Sequence, residues 1–200
     1  MKKFLVLGDS SYKKFLDTLN NYYKEPIYEV NAINPYEVNS DIVRSVSNEE
    51  YSLVLFTGGA DVDPKYYSNY KEMFTVCEPD RDAIEKEIYD IALAAKVPML
   101  GICRGAQFLT VMQENSSLLQ HVTGHTEAHA TDIDTEYLPD HIKSNIIEVT
   151  STHHQMMNLS KMDEDSYVLI GSVIKEKNRH GEAPYNNFDK MLDSQSRLVD

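Results

Sequence analysis

A cysteine between two glycines is the residue of this chain best suited to covalent chemistry. Cys103 follows the largely apolar residues 97–102 and precedes apolar side chains at helical spacing. This pattern predicts a buried strand, a sharp turn and a helix. Gly101 and Gly105 leave room for the bend. Because the free N–H groups and the dipole of a helix N-terminus favour a thiolate, we predict that Cys103 is a nucleophile.

A glycine pair ends the preceding predicted strand. Gly58 and Gly59 follow the apolar residues 53–56, and sites in open α/β sheets lie beyond the carboxyl ends of the strands. A thiolate that attacks an acyl carbon creates an oxyanion, and the backbone N–H groups of Gly59 and Arg104 are the expected donors to it. Singly, the glycine pair suggests only a turn and Cys103 only a small buried residue. Their occurrence at two successive strand ends favours a catalytic site.

The segments that must position these residues alternate between strand and helix patterns. Strands are predicted at residues 4–7 and 27–30, and the clearest helix, residues 80–96, has Asp82 and Glu85 at capping-box spacing. This alternation predicts a parallel sheet with helices on both faces. The other predicted elements are a helix at residues 36–46 and strands at residues 146–149 and 167–170.

Charge and cysteine content narrow the functional class. The formal net charge is −13 and no basic stripe is present, which argues against a nucleic-acid partner. No segment of the 200 residues has the length and apolarity of a membrane span, so no membrane partner is expected. Two cysteines, Cys77 and Cys103, do not make a disulfide framework. A reducing compartment, the cytoplasm, is therefore predicted.

Five segments carry motif residues in the order of one known family. They are residues 58–64 with the following Tyr66-Tyr67, the Arg81-Asp82 helix start, residues 101–107, residues 120–125 and residues 151–155. Together they resemble the class I glutamine amidotransferases, and most nearly their γ-glutamyl-γ-aminobutyrate hydrolase, or peptidase C26, branch. The resemblance implies an α/β fold, a flavodoxin-like three-layer sandwich with a mostly parallel central sheet.

The resemblance also implies the chemistry of a cysteine-nucleophile amidohydrolase. It implies cleavage of a γ-glutamyl amide, glutamine or a γ-glutamyl-amine, through a thioester on Cys103, without a cofactor. The residues implied to hold this small substrate are Gly58, Gln107, His153, His154 and Gln155. The two adjacent histidines leave two interpretations open, a catalytic base or a segment that positions the substrate through its main chain.

The family completes its catalytic triad with a C-terminal His-Pro-Glu motif, and the chain contains no such string. The most similar string, residues 180–182, follows charged residues instead of an apolar strand, so we interpret it as a loop. We expect a single domain over residues 1–200 that is C-terminally incomplete. Without the histidine the thiol lacks its general base, and efficient turnover is not expected.

Three histidines raise the question of a metal. His121, His125 and His129 recur at every fourth position, which on a helix would align them as ligands. Gly124 interrupts that helix, and no second ligand cluster is obvious in the sequence. We therefore expect no metal site. The resemblance implies instead that His121 and His125 lie in a loop near the catalytic site.

Two other functional classes stay open beside the hydrolase. The first is a catalytically impaired family member that binds a small ligand or a protein, which the missing motif favours. The second is an ammonia-supplying subunit of a synthetase, although ammonia transfer needs an acceptor domain that these 200 residues do not contain. Association with a synthetase or with a second copy of the chain stays open as well.

Overall fold

Two compact units make up the computed structural model, which describes residues 1–21, 27–68, 70–120, 128–133, 146–158, 171–174 and 197–199. The first unit comprises Met1–Tyr66 and Thr75–Leu109, and the second comprises Tyr67–Phe74 and Thr110–Asp200. Cys103 and the glycine pair belong to the first unit. The single domain expected over residues 1–200 stays a prediction.

A parallel sheet organises the first unit. Its strands are β1 (Lys2–Leu7), β2 (Tyr28–Ile33), β3 (Leu53–Phe56) and β4 (Met99–Gly101). They lie in the order β2-β1-β3-β4, which is the start of the flavodoxin-like strand order. All three pairings are parallel, and β3 lies between β1 and β4. The strands that precede the glycine pair and Cys103 are therefore neighbours in the sheet.

Helices follow these strands as the alternating pattern predicts. They are α1 (Ser11–Asn20), α2 (Ser40–Ser47), α3 (Pro79–Ala94) and α4 (Arg104–Val111). The helix predicted at residues 36–46 begins later than expected. Asn39 explains the shift, because its side chain accepts from the backbone N–H groups of Asp41 and Ile42 at 3.0 and 3.2 Å and so caps α2 at residue 40.

The core of the first unit is formed by apolar strand residues and one face of α3. Leu5, Val6 and Leu7 on β1 and the side chains of β3 from Val54 to Phe56 are buried. One prediction fails here, because the strand before Cys103 is not fully buried. Leu100 is 48% exposed, since β4 is an edge strand of the four described strands.

Antiparallel pairing characterises the second unit. Its described strands are β5 (Ser117–Leu119), β6 (Ala128–Ile133), β7 (Ile146–Thr150), β8 (Met156–Asn158), β9 (Gly171–Ile174) and β10 (Arg197–Val199). β5 pairs with β8, and the other four lie in the order β10-β9-β6-β7. The strand predicted at residues 146–149 is confirmed. The one predicted at residues 167–170 and the loop at residues 180–182 lie outside the described residues.

Among the helices that the structure describes, none combines the length and the apolarity that crossing a bilayer requires.

Candidate active site

Cys103 occupies the turn between β4 and α4 in a conformation that non-glycine residues seldom adopt. Its φ angle is +55°, in the left-handed region, and its side chain is exposed. The turn is fastened on both sides: Ile102 N–H donates to the carbonyl of Phe56 at 3.0 Å, and Ala106 N–H donates to the carbonyl of Cys103 at 2.9 Å. A strained strand-to-helix turn with an exposed nucleophile is the geometry of a nucleophile elbow.

The two glycines beside the elbow are required by close approach of the backbone. A Cβ atom on Gly101 would lie 2.4 Å from the amide nitrogen of Ala106. A Cβ atom on Gly105 would lie 2.1 Å from the carbonyl oxygen of Phe56. Neither distance is compatible with a side chain, so the predicted reason for these glycines is confirmed.

The glycine pair after β3 lies against the elbow. A Cβ atom on Gly58 would be 3.7 Å from the Cβ and 4.0 Å from the Sγ of Cys103, and 3.5 Å from the hydroxyl oxygen of Tyr12. The absence of a side chain at Gly58 thus leaves a space that both the thiol and the Tyr12 phenol border. The sequence did not indicate Tyr12, which lies in the first turn of α1.

Two backbone N–H groups beside the Cys103 turn have no hydrogen-bond acceptor among the described residues. Arg104 is the first residue of α4, so its N–H has no partner in the helical ladder, and Gly59 belongs to an irregular turn with a φ angle of +153°. Within the described part of the chain, neither N–H donates a hydrogen bond. They are the donors that the sequence predicted for an oxyanion, and that role stays a prediction.

The Arg104 side chain turns away from the thiol into the interior. Its guanidinium forms ion pairs with Asp82 and Glu85 on α3, and it lies over the ring of Phe108, 5.1 Å from the ring centroid. Burial raises the pKa of the Asp82 carboxyl, and the Arg104 guanidinium opposes that rise. These ion pairs of Arg104 connect the Cys103 turn to α3.

The capping box predicted at Asp82 and Glu85 is wrong. The helix begins at Pro79, and neither side chain caps it. Asp82 instead accepts from Arg104 and from the backbone N–H of Asp63 at 2.7 Å. The sequence contains a signal that these charged residues are buried. Arg81 and Glu85 continue the helical spacing of the buried Ile88 and Ala92 toward the start of the helix.

A second arginine lies beneath the glycine pair. Arg81 is buried, and its guanidinium donates to the carbonyl oxygens of Thr57 and Gly58 at 3.5 and 3.1 Å. A Cβ atom on Gly59 would lie 2.0 Å from Nη1 of this arginine. The resemblance had pointed to the Arg81-Asp82 segment without indicating what these side chains contact.

The remaining predicted substrate residues divide between the two units. Gln107 lies on α4 one turn after Cys103, and its N–H donates to the carbonyl of Cys103 at 3.1 Å. The residues before β8 belong to the second unit, where Nδ1 of His153 lies 2.8 Å from the carbonyl oxygen of Gln155. His154 is half-buried and Gln155 is buried.

No group of three potential metal ligands occurs among the described residues. His129 lies on β6, opposite Val149 of β7, so it is not part of the helical spacing that would align it with His121 and His125. Those two histidines lie outside the described residues.

Comparison with known proteins agrees with this geometry. The family model of peptidase C26 matches residues 31–168. A glutamine amidotransferase-like protein of Rickettsia prowazekii is 35% identical over 89 residues, which are 44% of this chain and 31% of that protein. The γ-glutamyl-CDP-amidate hydrolase of Campylobacter jejuni is 35% identical over 75 residues, which are 38% of this chain and 34% of that enzyme. The chain thus spans about a third of the length of these relatives.

A solved structure shares the fold. A GMP synthase-type protein of Thermoplasma acidophilum superposes with a TM-score of 0.57 at 17% identity, covering 86% of this chain and 73% of that one. This likeness confirms the predicted flavodoxin-like three-layer α/β fold with a parallel central sheet. Because the family model covers more than half of the residues, the chain belongs to the peptidase C26 family of class I glutamine amidotransferase-like proteins.

Proposed function

We propose that this chain is a glutamine amidotransferase-like hydrolase that cleaves a γ-glutamyl amide through a thioester on Cys103. The observation that carries the proposal is the elbow: an exposed thiol at φ +55°, next to two N–H groups that donate to no described residue. Membership of the peptidase C26 family supports a hydrolase or amidotransferase, and the Campylobacter relative is named a γ-glutamyl-CDP-amidate hydrolase. Because neither Cys77 nor Cys103 forms a disulfide bond in the structure, we propose that the protein is cytoplasmic.

In the proposed reaction the Cys103 thiolate attacks the γ-carbonyl carbon of the substrate. Negative charge develops on the carbonyl oxygen, where the N–H groups of Gly59 and Arg104 stabilise it. The C–N bond then breaks, the leaving amine takes a proton from solvent, and a γ-glutamyl thioester remains. Water attacks the thioester, releasing glutamate and the thiol. Gly58, Gln107 and the segment from His153 to Gln155 are the proposed substrate contacts.

Protonation of the leaving amine determines which acyl donors react fastest. All seven histidines lie at residue 121 or later, so the first unit contains none. Attack by the thiolate does not supply the proton that the leaving amine needs. We therefore expect acyl donors with good leaving groups to react faster than simple amides.

The absence of a histidine from the first unit favours a second candidate, a binding module that captures a γ-glutamyl ligand without turnover. The GMP synthase-type protein that shares the fold adds a third, ammonia supply to a synthetase. The binding module differs from the leading proposal in that it forms no acyl-enzyme. Ammonia supply proceeds through the same γ-glutamyl thioester, so activity that an added synthetase leaves unchanged would disfavour it.

Hydroxylamine trapping tests the proposal. The chain is incubated with γ-glutamyl p-nitroanilide and hydroxylamine, and γ-glutamyl hydroxamate is quantified. We expect hydroxamate from the wild type and from Cys77→Ser, and none above background from Cys103→Ala. Binding of the donor without hydroxamate would favour the binding module, and equal hydroxamate from Cys103→Ala would overturn the role of the thiol.

A further inference from the structure

A buried chain of charged side chains connects the two turns that carry the proposed oxyanion donors. Arg81 donates through Nη2 to the carbonyl oxygen of Gly58 at 3.1 Å and through Nε to Oε1 of Glu85 at 2.8 Å. The other oxygen of Glu85 accepts from Nη1 of Arg104, the residue directly after the nucleophile. Glu85 is fully buried, and Arg81 and Arg104 are 7% and 1% exposed.

The hydrogen bond to Gly58 determines where an N–H group points. The chain has no cis peptide among its described residues, and in a trans peptide the C=O and the following N–H point in opposite directions. Arg81 holds the carbonyl of Gly58, so the N–H of Gly59 in the same peptide is directed away from that guanidinium. A rotation of this peptide would both break the 3.1 Å bond and redirect the donor.

Glu85 couples this peptide to the start of α4. Each carboxylate oxygen holds one guanidinium, and the rigid fork of an arginine resists a change of direction once it is bound in this way. The cluster of Arg81, Arg104, Asp82 and Glu85 has two charges of each sign, so its members compensate one another in the interior. A shift of Arg81 is thereby resisted by the same carboxylate that fastens the elbow.

We propose that Arg81 and Glu85 are positioning residues that hold the Gly59 and Arg104 N–H groups in register for an oxyanion. Neither side chain touches the substrate in this proposal; both act through the backbone that they hold. The inference rests on the proposed function in one respect, the assignment of these two N–H groups as oxyanion donors. It does not depend on the identity of the acyl group.

The test compares two reactions of the same thiol in Cys77→Ser, where Cys103 is the remaining cysteine. Acylation by p-nitrophenyl acetate places negative charge on a carbonyl oxygen: the S–C bond forms, p-nitrophenolate leaves, and the thiol proton goes to solvent. Alkylation by iodoacetamide displaces iodide and creates no oxyanion. The ratio of the two rate constants therefore reports on the oxyanion donors and not on exposure or thiolate fraction.

We expect Arg81→Lys to lower the acylation rate constant by about 10²-fold, the usual effect of losing one such donor, with alkylation unchanged within about two-fold. A lysine retains the charge but cannot hold the Gly58 carbonyl and Glu85 together. Glu85→Gln, which lies farther from the loop, should lower acylation by at least about 10-fold. It carries the test if Arg81→Lys does not fold.

Glu78→Gln is the matched control. It removes the exposed partner of Arg81, at 3.9 Å, and leaves the buried contacts, so both rate constants should stay at the parent values. Equal falls in acylation and alkylation, or unchanged acylation in Arg81→Lys and Glu85→Gln, would overturn the inference. An acetyl donor makes no use of glutamyl contacts, so failure of the proposed function appears separately, as absent γ-glutamyl hydroxamate with the acetyl result intact.

Discussion

At the scale of single residues, Cys103 is held in a backbone conformation that opposes folding and exposes its thiol. A non-glycine residue with a φ angle of +55° costs on the order of 1–3 kcal/mol. The surrounding turn must supply that free energy, through the backbone bonds from Ile102 and Ala106. Such strain is expected where a side chain has to be presented for chemistry instead of packed.

Replacing Cys103 by glycine should therefore stabilise the fold relative to replacement by alanine. Both variants lack the thiol, but alanine keeps the strain at φ +55° and glycine relieves it. We expect Cys103→Gly to unfold in urea with a free energy about 1 kcal/mol higher than Cys103→Ala. An equal or lower value for the glycine variant would show that the turn is not strained.

The adjacent glycines Gly58 and Gly59 should respond differently to alanine. A Cβ on Gly58 makes ordinary contacts of 3.7 and 4.0 Å with Cys103, so Gly58→Ala should fold normally and slow iodoacetamide alkylation by covering the thiol. A Cβ on Gly59 would collide with Arg81 at 2.0 Å, at a φ angle of +153°. Gly59→Ala should lower the free energy of unfolding by about 1–3 kcal/mol.

Urea unfolding and alkylation rates measured on both variants check this contrast. Equal stability losses would contradict the contacts described for the two glycines, and unchanged alkylation in Gly58→Ala would show that this position does not face the thiol.

At the scale of elements, α3 supports the elbow through charges that a surface helix would place in solvent. Arg81 and Glu85 lie one turn apart on its buried face and pair at 2.8 Å. Lys86 and Asp90 have the same spacing on the exposed side and pair at 2.6 Å. One helix therefore contains a buried and an exposed ion pair of the same type.

Removing the buried pair should lower the free energy of unfolding far more than removing the exposed pair. Glu85→Ala leaves the guanidinium groups of Arg81 and Arg104 buried without this shared partner, so we expect a loss of about 3–5 kcal/mol in unfolding free energy. Asp90→Ala should change it by less than about 0.5 kcal/mol. Denaturant titrations of both variants measure the difference. Similar small effects would mean that water reaches the cluster around Glu85.

At the scale of the whole molecule, local sequence patterns predicted strands and turns of the first unit. They did not predict contacts between residues that are far apart in the sequence. The strand at residues 53–56 and the elbow follow from short runs of apolar residues and glycines, and both are where the sequence placed them. The sequence did not predict the buried cluster around Glu85, because charged residues on a helix ordinarily indicate a face that is exposed to solvent. Only the continuation of its buried face identifies them as interior.

The second unit shows the same limit more strongly. Its antiparallel pairings, such as Thr131 with Ile147 and with Val173, join segments that are far apart in the chain. A local periodicity of apolar residues does not predict such pairings. The strand at residues 146–149 was predictable from its apolar run. β6 was not, because the adjacent polar residues Thr131 and Asp132 interrupt the alternation of polar and apolar residues that predicts a strand. Residue patterns thus located the turn that holds Cys103 but not the side chains that support this turn.

The most direct test of the account is to locate the proposed acyl group. Wild-type chain is mixed with γ-glutamyl p-nitroanilide, quenched in acid and digested, and the peptides are analysed by mass spectrometry. We predict a γ-glutamyl adduct on the peptide that contains Cys103, removed by hydroxylamine and missing from Cys103→Ala. An unmodified Cys103 peptide, or an adduct on Cys77 alone, would contradict the assignment of Cys103 as the nucleophile.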